Sequence, residues 1–325
     1  MYFLDVFAQI RQERPNFIQL RDNNVTPTLQ NALEQTASKV ESVLANALKE
    51  DAQANEITRP QRLTDAMQYA ALAGGKRLRP LLMVEVAKLF GREDDGVLTA
   101  AAALECIHCY SLVHDDLPAM DDDDLRRGKP TTHKAFDEAT AILAGDALLT
   151  FAFDLIARED VHQSAALRLQ LSQELARASG IGGMAGGQML DLQSEHSDRS
   201  EAQIRTLQAM KTGALIRYAC RAGAMLAQAS NEDIARLTRF GEIVGLAFQL
   251  ADDLLDVTSD AATLGKAAGK DEERGKATLV GLMGQEHARE ELAQLIDEAA
   301  ILLAPFGNDA RTLIEIADFI AKRTH

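Results

Sequence analysis

Two short stretches of the chain gather its aspartates. His114-Asp115-Asp116-Leu117-Pro118-Ala119-Met120-Asp121-Asp122-Asp123-Asp124 holds six, and Phe248-Gln249-Leu250-Ala251-Asp252-Asp253-Leu254-Leu255-Asp256 holds three. Two carboxylates ~6 Å apart at an effective dielectric of ~20 repel by roughly 2.8 kcal/mol. Asp115 and Asp116 are expected on the last turn of a long apolar helix running from Val97 to Val113, at the negative end of its dipole, which adds to that cost. Oxygen donors without His or Cys select hard cations, Mg²⁺ above all. The competing reading is a solvated acidic loop, which costs little in water. In the second stretch Gln249, Asp252, Asp253 and Asp256 fall at i, i+3, i+4 and i+7 and are expected to line one helix face. Leu246, Phe248, Leu250, Leu254, Leu255 and Val257 flank them, so this face reads as a pocket wall.

Two such helices facing each other would hold several Mg²⁺ ions, and a diphosphate completes their octahedral shells well. Cations should then complement the remaining phosphate charge. They occur in compact groups: Lys76-Arg77-Leu78-Arg79 after Gly74-Gly75, Arg126-Arg127, Lys211-Thr212, Lys266 and Lys270. The glycine pair frees the backbone before a helix expected to open at Pro80, which places amide donors near an anion. Each basic group alone could be ordinary surface; their pairing with two acid clusters carries the signal.

The elements that position these residues read as helices. Seven prolines occur, and 174 residues separate Pro130 from Pro305 without one. That is hard to reconcile with a turn-rich β protein. Apolar residues recur at helical spacing, as at Ile234, Leu237, Phe240, Ile243 and Val244. No alternating β-branched run is long enough for a sheet, so the expected class is all-α. Breaks are expected at Ala73–Gly75, Phe90-Gly91, Leu117-Pro118, Gly128–Pro130, Gly180–Gly187, Ser194–Ser200 and Gly265–Gly275. None is a domain-separating linker. Residues 29–325 read as one large helical domain, and the less periodic residues 1–28 as an N-terminal extension.

The 325-residue chain has a net charge of −15, which falls to −6 without the nine clustered aspartates. It lacks the basic footprint of a nucleic-acid binder, and 46% hydrophobic residues are enough for a large core. No apolar run is expected to reach membrane-spanning length, and Met1–Arg14 does not read as a signal peptide. Three cysteines (Cys106, Cys109, Cys220) cannot all pair, which fits the cytoplasm. Cys106 and Cys109 form a lone C-x-x-C that reads as two small core residues.

On these motifs the sequence resembles the head-to-tail trans-isoprenyl diphosphate synthases. The residues that carry the resemblance are Gly74–Pro80, Asp115–Lys129, Gly186-Gly187-Gln188-Met189-Leu190-Asp191, Lys211-Thr212-Gly213, Phe248–Asp256 and Gly265–Lys276, in the family's order. The four residues between Asp116 and Asp121, with Pro118 among them, resemble the bacterial farnesyl diphosphate synthases. The resemblance implies a single helical bundle of the isoprenoid synthase type around a central apolar cavity, and a homodimer. It implies that Asp115, Asp116, Asp121, Asp252 and Asp256 ligate three Mg²⁺ around an allylic diphosphate. Arg126, Lys211 and Lys266 would neutralise that group, with Thr212 and Gln249 beside it. Lys76, Arg79, His108 and Arg127 resemble an isopentenyl diphosphate site. A lone helical His is otherwise more often a core residue.

The implied chemistry is ionisation of the allylic diphosphate, condensation and proton loss. Tyr110, five residues before Asp115, and Ser111, one turn before it, resemble a floor that stops chain growth near fifteen carbons; helix periodicity alone leaves Tyr110 equally well a core aromatic. The implied function is synthesis of farnesyl diphosphate from dimethylallyl, geranyl and isopentenyl diphosphates. Geranyl or geranylgeranyl diphosphate synthesis and a non-catalytic subunit remain as alternatives. A terpene cyclase has no need of Lys76, Arg79 and Arg127, and a phosphohydrolase would want a positioned general base. The sequence departs from the family at Thr278-Leu279-Val280, where Thr-Tyr-Pro is usual, which leaves the role of Lys276 open, as is that of the terminal Lys322-Arg323.

Overall fold

The computed structural model describes residues 26–49, 51–194, 199–262 (side chains to 257) and 278–322. Lys266, Lys270, Lys276, Arg323, the break at Gly265–Gly275 and most of the N-terminal extension lie outside the described residues.

The chain folds into helices α1 (Pro27–Ala47), α2 (Gln61–Ala71), α3 (Leu78–Lys88), α4 (Asp95–Asp115), α5 (Thr132–Ala135), α6 (Glu138–Ala157), α7 (Ala165–Ser179), α8 (Met184–Leu192), α9 (Glu201–Gln208), α10 (Ala214–Leu226), α11 (Asn231–Ala262), α12 (Leu279–Met283), α13 (Gln285–Leu303) and α14 (Arg311–Lys322). The all-α expectation holds. Among the described residues the only strands are β1 (Leu125–Arg126) and β2 (Lys129–Pro130), a two-residue hairpin.

Local sequence explains the helix starts. Thr26 accepts from the Leu29 amide and Pro27 opens α1, while Asp94, Asp137 and Ser164 cap α4, α6 and α7 in the same way. Helix α4 is the axis of the bundle. Its Ala100-Ala101-Ala102-Ala103 run is fully buried, and small side chains let α1, α3, α6 and α10 pack around it. Helix α10 joins this half to α11, which packs in turn on α13 and α14. One continuous apolar core runs through both halves.

Two expectations need correction. Helices α4 and α6, of 21 and 20 residues, are each long and apolar enough to cross a membrane. Alanine and leucine dominate both; α4 is mostly buried in the bundle and α6 less so. The break expected over Gly180–Gly187 ends at Gly183, and Gly186 and Gly187 lie inside α8. Cys106 and Cys109 are buried and unpaired, with burial pushing the Cys109 thiol up to about 12. They are core residues.

Candidate active site

The first aspartate motif is built by a chain that leaves α4 and folds straight back. Asp115 is the last residue of α4 and Asp116 its cap. The Asp121 amide donates to the Asp115 carbonyl at 2.8 Å, and the Asp123 amide to the Asp116 carbonyl at 3.2 Å. Amides of Met120 and Asp122 both bond the Leu117 carbonyl. The four residues after Asp116 thus close a compact loop that brings Asp121 beside Asp115. Burial, together with the charge of Asp121, raises the Asp115 carboxyl to about 6 despite the opposing fields of Lys211 and Arg126. Asp116 is 3% exposed and is held by Arg126, whose Nε donates to Oδ1 at 2.8 Å and to Oδ2 at 3.0 Å.

The hairpin sorts two neighbouring arginines. Arg127 and Gly128, with φ of 54° and 75°, form its two-residue turn; positive φ at both positions matches the twist of the flanking strands. Arg126, in β1, reaches back to Asp116. Arg127, at the tip, donates through Nη1 to the Gly74 carbonyl. Gly75 has φ +117°, and a β-carbon there would lie 2.5 Å from the Arg127 guanidinium. The glycine pair is therefore a seat for Arg127.

That seat lies beside the other members of the proposed isopentenyl group. Lys76 is exposed, with Nζ 5.0 Å from the Phe319 ring centre on α14. Arg79, in the first turn of α3, has a buried Nε without a hydrogen-bond partner. Burial lowers its pKa, and the nearby charges include Glu105, Arg127 and Asp252. His108 is held neutral, well below the usual imidazole range, by burial and then by Arg79 and Arg127. Arg79, Arg127 and His108 thus share one electrostatic neighbourhood, and the Asp252 charge is felt at Arg79.

Lys211, whose charge acts on Asp115, sits in a widened helical turn. Ala209–Gly213 forms a π turn between α9 and α10, a geometry that recurs at functional sites. Helix α8 crosses it at Gly187, where a β-carbon would sit 2.2 Å from the Lys211 amide nitrogen. The crossing sets Asp191 on Lys211, Oδ2 to Nζ at 2.6 Å. Thr212 Oγ1 donates to Gln249 Oε1 at 3.1 Å, and Gln249 Nε2 to Asp253 Oδ1 at 3.1 Å.

The second aspartate motif divides. Its four polar positions spread over about 100° of arc, so the expected single face meets different neighbours at its two edges. Asp252 is half-buried and Asp256 exposed. Asp253, 4% exposed, turns away and accepts from Gln208 Nε2 at 3.0 Å and the Leu279 amide at 3.3 Å. Asp253→Ala would strand these buried donors and is expected to cost about 2–4 kcal/mol of unfolding free energy in a urea titration.

Tyr110 is half-buried, edge-on to His114 at 5.9 Å between ring centres. Burial, then the Asp115 charge, raises its phenol to about 12, so it lies within reach of the acidic cluster. Ser111 is turned onto its own helix, Oγ donating to the His108 carbonyl at 2.8 Å. Among the described residues no three His, Cys, Asp or Glu side chains close a metal cage by themselves. Asp115, Asp116, Asp121, Asp252 and Asp256 are nonetheless an oxygen-only set, and the Asp115 carboxyl is raised by burial first and then by the Asp121 charge, a carboxylate that a bound cation would stabilise. Both properties fit a hard divalent cation.

Sequence reasoning missed two residues. Asp191 ends the Gly186–Asp191 motif and pairs with Lys211; the signal for it in the sequence is that Lys211 has no acid at helical spacing. Asp253 was grouped with its neighbours, and nothing in its spacing shows that it turns inward.

The polyprenyl synthetase family profile matches residues 60–302. The chain is 48% identical to farnesyl diphosphate synthase of Escherichia coli (strain K12) over 266 residues, 80% of this chain and 89% of that one. It is 43% identical to geranylgeranyl diphosphate synthase of Cyanophora paradoxa over 82% of this chain and 89% of the relative. A crystal structure titled as an FPP/GFPP synthase from Zymomonas mobilis superposes with a TM-score of 0.80 at 43% identity, covering 90% of this chain and 99% of that one. With the isoprenoid synthase fold and both aspartate motifs in place, the chain belongs to the polyprenyl synthetase family.

Proposed function

We propose that this trans-prenyltransferase is an Mg²⁺-dependent farnesyl diphosphate synthase, joining isopentenyl diphosphate to dimethylallyl and then geranyl diphosphate. The reading is carried by two sets of cations: Arg126 and Lys211 act on the Asp115 charge, while Arg79 and Arg127 act most strongly on His108. Two diphosphates can be held side by side without sharing a cation.

Asp115, Asp116, Asp121, Asp252 and Asp256 would hold the metal, with three ions expected. Bound Mg²⁺ supplies Lewis-acid neutralisation of the departing diphosphate. Lys211, Arg126 and, outside the described residues, Lys266 add fixed positive charge on that leaving group. Cleavage of the allylic C1–O bond leaves an allylic cation. Lys211 is fixed by Asp191, so its charge is placed before the reaction rather than during it. The Gln249–Thr212 pair orients the turn whose Thr212 carbonyl faces the cation in this reading. Lys76, Arg79, Arg127 and neutral His108 orient isopentenyl diphosphate, whose C3=C4 π pair forms the new C4–C1 bond. Loss of a proton from C2, taken by the released diphosphate, regenerates a double bond.

Tyr110 sets the length at fifteen carbons in this reading. Tyr110→Ala is expected to shift the main product to twenty carbons or more; an unchanged product profile by chromatography rejects that role. Geranylgeranyl diphosphate synthesis is the second reading, favoured by the relative of that name. We further place the enzyme in the cytoplasm as a homodimer, consistent with three unpaired thiols in the first case and by family likeness in the second. The deciding experiment supplies dimethylallyl and isopentenyl diphosphates with Mg²⁺ and measures diphosphate release and product length. Release with a fifteen-carbon product supports the proposal, and no release with both substrates present rejects it.

A further inference from the structure

We propose that Glu105, outside both aspartate motifs, is a positioning residue for the isopentenyl diphosphate half-site, acting through Arg77 on Lys76 and Arg79. This rests on the half-site assigned above.

Arg77 stands between the two proposed ligand-binding cations but does not share their task. Its side chain is 1% exposed and that of Glu105 is 2% exposed. Nη1 donates to Glu105 Oε1 at 2.6 Å. Nη2 donates to Glu41 Oε1 at 2.9 Å and to the Ala71 carbonyl at 2.6 Å, and Nε to Glu41 Oε1 at 3.2 Å. The guanidinium is thus occupied by helices α1, α2 and α4 at once. It ties the α2–α3 connection to α1 and α4.

The backbone shows what that pinning holds in place. Arg77 has φ +47°, a left-handed conformation that a residue with a β-carbon adopts at a cost. Such a conformation persists where the surroundings over-determine it. Here the buried ion pair does so. The reversal leaves Lys76 exposed before it and sets Arg79 in the first turn of α3 after it. Glu105 lies three residues before His108 on α4, so one turn of helix carries both the buried counter-charge and a proposed diphosphate contact. Its carboxylate is also the first of the charges that sustain ionised Arg79 against burial.

The test is steady-state kinetics of the full chain with Mg²⁺, varying isopentenyl and geranyl diphosphates separately. Glu105→Gln keeps the shape and removes the charge. We expect the KM for isopentenyl diphosphate to rise ~10-fold, with kcat and the KM for geranyl diphosphate within about twofold of wild type. Glu105→Asp is expected to restore part of the loss. Should Glu105→Gln not fold, the double variant Arg77→Met/Glu105→Met replaces the buried pair by apolar volume, an exchange such pairs tolerate. At a wild-type melting temperature it should show the same selective rise. An unchanged KM for isopentenyl diphosphate in a folded variant, or equal rises for both substrates, overturns the inference. A wild-type chain that makes no product overturns the half-site assignment instead.

Discussion

Replacing Asp115 by alanine is expected to lower turnover at least ~10³-fold with the helical fold intact, because in the proposed reading the charge developing on the leaving group would lose one of the carboxylates that hold its metal. Circular dichroism and steady-state diphosphate release check the two halves of that statement. A second consequence concerns pH. The Asp115 carboxyl lies near 6 in the folded metal-free protein against 3.8 for an unperturbed one. The folded state therefore holds a proton that the unfolded state has already released between those values. Stability from this group is complete below about 3.8 and is lost as pH rises through 6, by at most about 3 kcal/mol. About 1.4 kcal/mol of that loss falls between pH 5 and pH 7.5, so the metal-free protein should melt about 2 °C lower at pH 7.5 than at pH 5. Asp115→Asn should flatten that slope, and Mg²⁺ with inorganic diphosphate should raise the melting point at pH 7.5. A wild-type slope matching that of Asp115→Asn would count against a raised Asp115 carboxyl.

Gly75→Ala is expected to raise the KM for isopentenyl diphosphate by ~30-fold, the loss of about 2 kcal/mol from a charge-assisted contact. A β-carbon at residue 75 meets the end of a flexible side chain, Arg127, rather than backbone. The arginine can yield, so the fold survives and the contact does not. Gly74→Ala is the control. Its φ is also positive, +83°, but no atom lies within 4 Å of the added carbon, so its cost is backbone strain of roughly 1–2 kcal/mol. A larger KM defect in the Gly74 variant than in the Gly75 variant would reject the seat proposed for Arg127.

The sequence made the architecture and much of the site legible, for identifiable reasons. A proline-free stretch of 174 residues with apolar residues at helical spacing leaves few options but helices. Charge clustering singles out the Asp115–Asp124 and Asp252–Asp256 regions because carboxylates beside apolar helix faces, unlike those of a solvated loop, call for a counter-charge. What stayed hidden depends on tertiary direction. Spacing put Asp253 with Asp252 and Asp256, whereas its carboxylate closes a buried junction with Gln208 and the Leu279 amide. Arg77 reads in sequence as one more cation in a basic group, and only the fold supplies its partners on three helices. The return of Asp121 onto Asp115 follows from backbone bonds within a four-residue loop, which residue types alone do not announce. The apolar content of α4 and α6 is hard to read from the sequence because isolated charged or small residues interrupt what is, over a full helix, a hydrophobic cylinder.

The π turn at Ala209–Gly213 has a meaning for how such a chain can be edited. A turn of this kind carries one residue more than an α-helical turn. Deleting Ala209 would let α9 and α10 fuse into a single regular helix, a change that local energetics favour. It would also rotate the segment upstream by about 100° relative to the segment downstream. Lys211 would no longer lie under Gly187 while Gln208 met Asp253 and Thr212 met Gln249. The irregular form is thus the one that permits three contacts on two different helices at once, and a chain made more regular here would be better helix and worse catalyst.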